Sequence, residues 1–427
     1  MCAALYFIWV LCAPTAANEK VVEDTPVGAQ RVPEPTDSPA EDSDSDDLTL
    51  GDYLLADLPP NTLVYEGERF RIRPIVAIVA DYTFFQQDAD SLLQVGLQED
   101  TQDLRAARFG MYLRPRSERP WEFYVAVDYQ EPRTREQEAF EVFDLRFRVP
   151  VGRVNFDIGK QKQPFASEVA GLSILYPQQE RILSPFFVTR SIGIKASGQM
   201  ANERMTWAVG WFNEWLETDA SFSESGNDYV ARMTGLAYIS PDNRNYLHIG
   251  VGVRSAGPDL QTYRMSGRPE SHVADMYVDT GDFTADRVLE WGADLTWQQG
   301  PFMFVTEYIK AYVNSEEIGN PRFSGGYVLL SWMLTGESRP YFRAIGSFGP
   351  ITPTSRFGAF ELVTRYSHID LTDGPIEGGV LGKWYFGANW WISRQWKAGV
   401  GYGLADLDRD GVIGNTHMLL FRLQWFY

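Results

Sequence analysis

The side chains in this chain that could do chemistry are charged groups set two residues apart. Asp144, Arg146 and Arg148 occupy alternate positions, and Glu361 and Arg365 share a parity. An extended chain sends alternate side chains to opposite sides, so each set lands on one face of a strand. The planar guanidinium fork matches the paired oxygens of phosphates and carboxylates. The chemistry this suggests is recognition of anions, with no bond made or broken. Residues for covalent work form no pattern. His248, His272, His368 and His417 are scattered, and Cys2 and Cys12 lie within the first 17 residues. No Gly-x-Ser-x-Gly, His-Glu-x-x-His or Walker-type string occurs. Asp406, Asp408 and Asp410, followed by Gly411, resemble the start of a calcium loop, but His417 stands where a bidentate Glu is needed. A polar extracellular loop is therefore expected there, with no metal and no cofactor.

The elements that position these charges read as strands. From Phe70 onward apolar residues recur with period two, as in Trp121–Tyr129, Leu247–Arg254, Leu289–Trp297 and Leu419–Tyr427. About sixteen such segments begin near residues 70, 104, 121, 141, 153, 190, 204, 227, 244, 287, 301, 323, 356, 383, 395 and 415. Most are about ten residues long, the length at which a tilted strand crosses a bilayer. Short links follow even-numbered segments, at 115–120, 150–152, 241–243, 299–300 and 393–394. Longer ones follow odd-numbered segments, around 83–103, 131–140, 163–189, 255–286 and 368–382. That alternation belongs to outer-membrane barrels. The twenty-odd residues after the twelfth segment break it, since a short turn is expected there.

A soluble sandwich would also alternate, with its apolar faces turned inward. Here the apolar faces carry aromatic pairs near strand ends, Trp121 with Tyr129, Trp291 with Trp297 and Trp425 with Tyr427, which two interfacial girdles explain better. The expected fold is all-β, a 16-stranded antiparallel transmembrane barrel over residues 69–427. Residues 1–17 are apolar and end in small residues, as a signal peptide does, although a positive n-region is missing. Residues 18–68 hold 14 acids against 2 bases and no apolar periodicity, so an acidic disordered periplasmic tail is expected. The whole chain of 427 residues carries a formal charge of −19, which excludes a nucleic-acid partner.

In a barrel, strand parity divides lipid from lumen. An Arg or Lys facing lipid at the midplane costs roughly 2–4 kcal/mol. Twelve segments have a clear apolar face. Their opposite faces carry Arg71, Arg73, Arg108, Arg114, Arg146, Arg148, Arg153, Lys195, Arg254, Arg365, Lys383, Lys397 and Arg422 against Asp81, Glu122, Asp128, Asp144, Asp157, Glu290, Asp294 and Glu361. Thirteen bases against eight acids leave the lumen net positive inside a net-negative protein. Segments seven, eight, eleven and twelve have no clear apolar face. The alternative to anion attraction is that these charges pair across strands and cancel.

Several strings resemble the phosphate-selective porin family of Gram-negative outer membranes. They are Gly159–Glu168, Glu180-Arg181 with Arg190–Gly193, Tyr327 with Leu334–Glu337 and Arg339–Tyr341, Gly358–Ser367 with Asp370-Leu371, Gly387–Trp391, and Arg422–Phe426. The resemblance implies a trimeric sixteen-stranded porin among outer-membrane lipids, with the third loop folded into the lumen as a constriction. It places Lys160, Lys162, Glu168, Glu180, Arg181 and Arg190 at that constriction. With Arg71, Arg73, Arg108, Arg146, Arg148, Arg365 and Arg422 on the wall, the expected function is passive diffusion of small anionic solutes. A non-selective porin, a surface adhesin or scaffold barrel, and a barrel enzyme are the alternatives.

Overall fold

The computed structural model describes residues 65–117, 120–129, 139–215, 225–258 and 261–427. The expected leader and acidic tail lie outside them, apart from residues 65–68. Tyr65 and Glu66 pair with Ile72 and Arg71, so strand pairing is already present four residues before the expected boundary.

Sixteen antiparallel strands follow. They are β1 (Phe70–Gln87), β2 (Thr101–Pro115), β3 (Glu122–Tyr129), β4 (Phe140–Val151), β5 (Val154–Lys162), β6 (Arg190–Met200), β7 (Met205–Asn213) and β8 (Asn227–Ile239). The second half comprises β9 (Asn245–Gly257), β10 (Arg287–Gln299), β11 (Phe302–Asn314), β12 (Arg322–Met333), β13 (Ala359–Asp373), β14 (Ile376–Trp391), β15 (Trp396–Arg409) and β16 (Val412–Phe426). Each strand pairs with the next, and β16 pairs with β1 over Ala77↔Phe426 to Gln87↔Thr416, which closes the barrel. Closure removes the open edge that hydrocarbon would not tolerate. The helices are short: α1 (Ala89–Val95), capped by the Asp88 side chain on the Ser91 amide at 2.8 Å, and α2 (Ser167–Ala170).

The outer wall is apolar between two aromatic rings. Trp291, Tyr308, Tyr366, Trp384 and Tyr402 form one; Trp297, Phe302, Trp332, Phe360, Trp390 and Trp396 form the other. Neighbours touch across strands, such as Tyr366 and Trp384 with ring centroids 4.9 Å apart and Phe302 stacked on Trp332 at 5.6 Å. Ring and indole groups favour the two membrane–water boundaries, so the spacing of the rings marks the hydrocarbon between them. The short turns at 152–153, 201–204 and 300–301 define the periplasmic end by the same convention.

Two connections differ from expectation. The stretch 368–382 is not a long loop, because β13 and β14 run on to a two-residue turn, Gly374-Pro375. The polar loop expected at 406–411 is the end of β15 and a turn at Asp410 (φ 56°) and Gly411 (φ 75°). Two positive φ values in succession suit a tight hairpin that matches strand twist. Both pairs of strands extend above the membrane, where water removes the need for an apolar face, so their polar residues hide the strand pattern.

Three segments fold into the barrel. The third loop (163–189) buries Phe165, Val169, Ile182, Leu183 and Phe186; residues 261–286 bury Met265, Tyr277 and Phe283; residues 334–358 bury Tyr341, Phe348 and Ile351. The overlong connection after β12 is thus an inward segment, not a turn. They pack against inward apolar residues of β8–β16, including Val230, Met303, Ile309, Phe323, Leu329, Val363 and Leu381. The wall makes room for them with glycine. A Cβ at Gly252 would collide with the Phe165 carbonyl oxygen, and one at Gly325 would lie 2.6 Å from Phe186. Gly252→Val is expected to lift the third loop, with overpacking costing roughly 1–3 kcal/mol. Its signature is a changed single-channel conductance together with new protease cleavage between 163 and 189; the wild-type pattern in both would refute the packing.

Candidate permeation site

The lumen charges divide into two sets with different work. The first set, on β8 and β13–β16, seats the third loop. A loop buried inside a barrel carries carbonyls that no sheet partner satisfies, and each left unpaired costs about 1–3 kcal/mol. The wall supplies the donors. Phe165 O accepts from Arg232 at 2.9 Å and Tyr176 O from Lys397 at 2.7 Å. Pro177 O accepts from Asn389 at 2.8 Å and Ile174 O from Gln424 at 2.7 Å. Arg339, on the inward 334–358 segment, donates to Leu175 O at 2.7 Å and pairs with Glu361 at 2.8 Å.

Carboxylates complete the seat. Glu307 on β11 accepts the Ser167 amide at 2.5 Å. Glu168 pairs with Arg365 at 2.6 Å, and Arg365 reaches Glu270 of the 261–286 segment at 2.8 Å. Lys383 adds a longer contact to Glu270 at 3.6 Å. Arg422 grips Asp81 across the barrel seam at 2.6 Å, meets Glu180 at 2.7 Å and donates to the Gln179 carbonyl. Arg105 also holds Glu180, at 2.7 Å. Arg365 is 1 % exposed and the Arg422 side chain 8 %, and the contacts of both are with the third loop, its neighbouring segment and the wall. They are loop anchors, as are Glu168 and Glu180.

The second set faces the opposite wall, β2–β6, where the side chains of Arg108, Arg148, Arg190 and Lys195 keep 12–15 % exposure while the carboxylates beside them are buried. Phe143 sits at an irregularity where β4 slips register against β3. The Arg108 guanidinium carbon is 3.2 Å from its ring centroid and that of Arg190 is 3.5 Å away. Two cations so close to one centroid cannot share a face, so the ring is sandwiched between them. The negative faces of the π system hold two like charges together that would otherwise repel. Arg108 also pairs with Asp128 at 2.7 Å, and Arg190 with Asp144 at 3.1 Å. Arg148 is bidentate on Asp157 at 2.6 and 2.9 Å, and Lys195 shares that carboxylate at 3.1 Å.

Three further bases, Arg146 on this wall, Lys162 at its end and Arg181 on the third loop, have no carboxylate within ion-pair distance among the described residues. Arg146 lies 5.9 Å from the Tyr124 ring. Arg181 donates to Glu168 O at 2.6 Å, and Lys162 to the Gly171 carbonyl. Lys162 lies within electrostatic reach of Arg190, Arg181 and Arg108. Lys160 pairs with Glu141 at 3.0 Å, and Arg71 with Glu66 at 3.2 Å toward the periplasmic end. Arg73 is buried on the same strand as Arg71. Arg108, Arg146, Arg148, Lys162, Arg181, Arg190 and Lys195 thus face Glu122, Asp128, Asp144 and Asp157, a surplus of three positive charges. Asp406 and Asp408 take no part, since they lie on the end of β15, and Asp410 lies in its turn. Among the described residues no group of three acids or histidines is placed to hold a metal.

Strand parity had missed Glu307 because β11 is apolar on both faces, and Arg232 because neither face of β8 is clearly the apolar one. Only the placement of the inward core resolves them. Phe143 carries no sequence signal beyond aromatic type, since a bulge breaks the parity there. A third polar cluster is structural. His248 Nε2 meets Asp294 at 2.8 Å and its Nδ1 meets the Tyr341 hydroxyl at 2.7 Å, with Arg232 on Asp294 at 2.7 Å. His248 is 2 % exposed, so this chain of bonds ties the 334–358 segment to the wall out of reach of solute.

The two sets should respond oppositely to truncation. Arg365→Ala removes one partner of a buried pair and is expected to cost about 3–5 kcal/mol, lowering the unfolding temperature measured by heat-modifiable gel mobility. Arg146→Ala is expected to leave that temperature within about 1 kcal/mol of wild type. Equal stability losses in the two variants would contradict the division.

Comparison with known proteins agrees with this architecture. A family model described as phosphate-selective porin O and P matches residues 79–427. Porin O of Pseudomonas aeruginosa is 28% identical over 141 residues, covering 30% of this chain and 32% of that protein. The chain spans about a third and about half of the lengths of the two curated relatives it matches. Among solved structures, the trimer form of OmpT from Vibrio cholerae superposes with TM-score 0.54 at 10% identity, over 84% of this chain and 100% of that one. An anion-selective porin from Comamonas acidovorans does so with TM-score 0.54 at 8% identity, over 84% and 100%. With the family match spanning nearly the whole barrel, this outer-membrane chain belongs to the phosphate-selective porin O and P family.

Proposed function

We propose that the chain forms a water-filled diffusion channel with a preference for small anions, phosphate-like oxyanions among them, and that it works as a homotrimer. The observation that carries this is the surplus of cations around Phe143 on the solvent-reached wall, where bases outnumber carboxylates. Low-dielectric walls focus such a field and raise the local concentration of counter-ions. Guanidiniums already fixed by a ring or a carboxylate need little reordering to receive a solute, while their remaining donors can exchange with its hydration shell. The anion-selective and trimeric relatives support the same reading for this chain. Passage requires no chemical step, and the buried His248–Asp294 pair lacks the access that an enzyme would need.

Purified protein in planar bilayers tests this through the reversal potential in a salt gradient. Ohmic conductance with anion preference is expected. Arg146→Ala should lower the anion-to-cation permeability ratio roughly three- to tenfold, since one charge near the pore axis is worth on the order of 1 kcal/mol. Absence of conductance would defeat the channel reading. Cation preference in the wild type would defeat the role given to the Phe143 cluster.

A further inference from the structure

A second group of cations stands apart from the lumen, on the outer wall. Arg287 begins β10, Lys310 lies four residues before the end of β11, and Arg322 begins β12. All three share the outward parity of the lipid-facing residues Leu289, Trp291, Tyr308 and Val328. The pairing register places them together: Lys310 opposite Trp291 on one side and Ser324 on the other, and Arg322 opposite Tyr312. The Tyr312 ring lies between two of them, 5.7 Å from Lys310 Nζ and 5.6 Å from the Arg322 guanidinium carbon. Arg287 donates to Ser255 Oγ at 2.9 Å from the adjoining strand. The acids nearby are Asp373, which accepts the Arg322 backbone amide at 2.7 Å, Asp370 opposite Ser324, Asp286 beside Arg287, and Glu316 and Glu317 in the β11–β12 loop. None forms an ion pair with these cations among the described residues.

Their height on the barrel is set by the aromatic ring. Trp291 and Tyr308 touch at 5.9 Å, and Lys310 is the next outward residue on the extracellular side of Tyr308. The cations therefore begin where the aromatic boundary ends, at the level of lipid headgroups. A charge on the lipid face is costly unless it reaches an oppositely charged partner at the interface. The outer wall supplies no such partner, so it comes from the membrane. We infer that Arg287, Lys310 and Arg322 form a binding site for the phosphate groups of an outer-leaflet glycolipid, with Tyr312 supporting two of the cations and Trp291 and Tyr308 meeting the acyl chains below.

The test uses the full chain purified in detergent, with bisphosphorylated lipid A as probe and native mass spectrometry as readout. Wild type is expected to retain the lipid, and the variant Arg287→Ala/Lys310→Ala/Arg322→Ala to bind it at least about tenfold more weakly, since each basic residue near a lipid surface contributes appreciably. Single-channel conductance should be unchanged in that variant, and the lumen variant Arg146→Ala should bind lipid A as wild type does. Fully dephosphorylated lipid A should bind weakly, and equimolar inorganic phosphate should not displace the bisphosphorylated form. Undiminished binding by the triple variant, or by the dephosphorylated lipid, overturns the site. Displacement by inorganic phosphate overturns the assignment to a lipid headgroup. If the triple variant does not reach the heat-modifiable folded form, Lys310→Gln alone decides, with at least a threefold loss expected and wild-type affinity counting against the site.

Discussion

The structure depends on one obligation: a loop folded into a closed barrel must find hydrogen-bond donors for its carbonyls away from any sheet. Sixteen strands consume their own backbone groups in the ladder, so the donors come from side chains of the wall. Arg232, Asn389, Lys397 and Gln424 meet that need, joined by Arg339 from a second inward segment. These cations then require counter-charges in a space of low dielectric. Glu361 serves Arg339, and Glu168 and Glu270 serve Arg365. This part of the lumen is in this way an ordinary protein interior, with an apolar core and paired buried ions.

That division explains what was legible in the sequence. Fifteen of the strand starts could be read to within three residues, because a lipid face imposes apolar residues at every second position. The misread region, 368–382, is strand that stands in water, where nothing enforces the pattern. The unreadable parities of β7, β8, β11 and β12 have a different cause. On β11, Met303, Val305, Ile309, Ala311 and Val313 face the inward core while Phe302, Phe304 and Tyr308 face lipid, so both faces are apolar. Arg365 illustrates the limit at the site itself. Its parity was right, but parity cannot distinguish a charge that meets water from one that meets a folded-in loop.

Net charge proved a poor guide to the lumen for a related reason. The chain as a whole is strongly acidic, yet most carboxylates inside the barrel are committed to bases that hold the loop or the sheet. The small surplus of bases left after pairing collects around a phenyl ring. Phe143 lets Arg108 and Arg190 stand close together without a carboxylate between them, which a purely ionic arrangement would not permit.

Arg422 joins two features that are usually treated separately. It lies on the last strand, bonds Asp81 on the first, and also holds Glu180 and the Gln179 carbonyl of the third loop. The pairing it reinforces links parts of the chain about 340 residues apart, the longest loop closure in the barrel and by contact order the slowest to form. Until the seam zips, the loop lacks one of its anchors; once it zips, the anchor arrives with the strand. During assembly, sealing the cylinder therefore also completes the seat of the loop, adding the anchor at Gln179 and Glu180 to those already made by the rest of the wall.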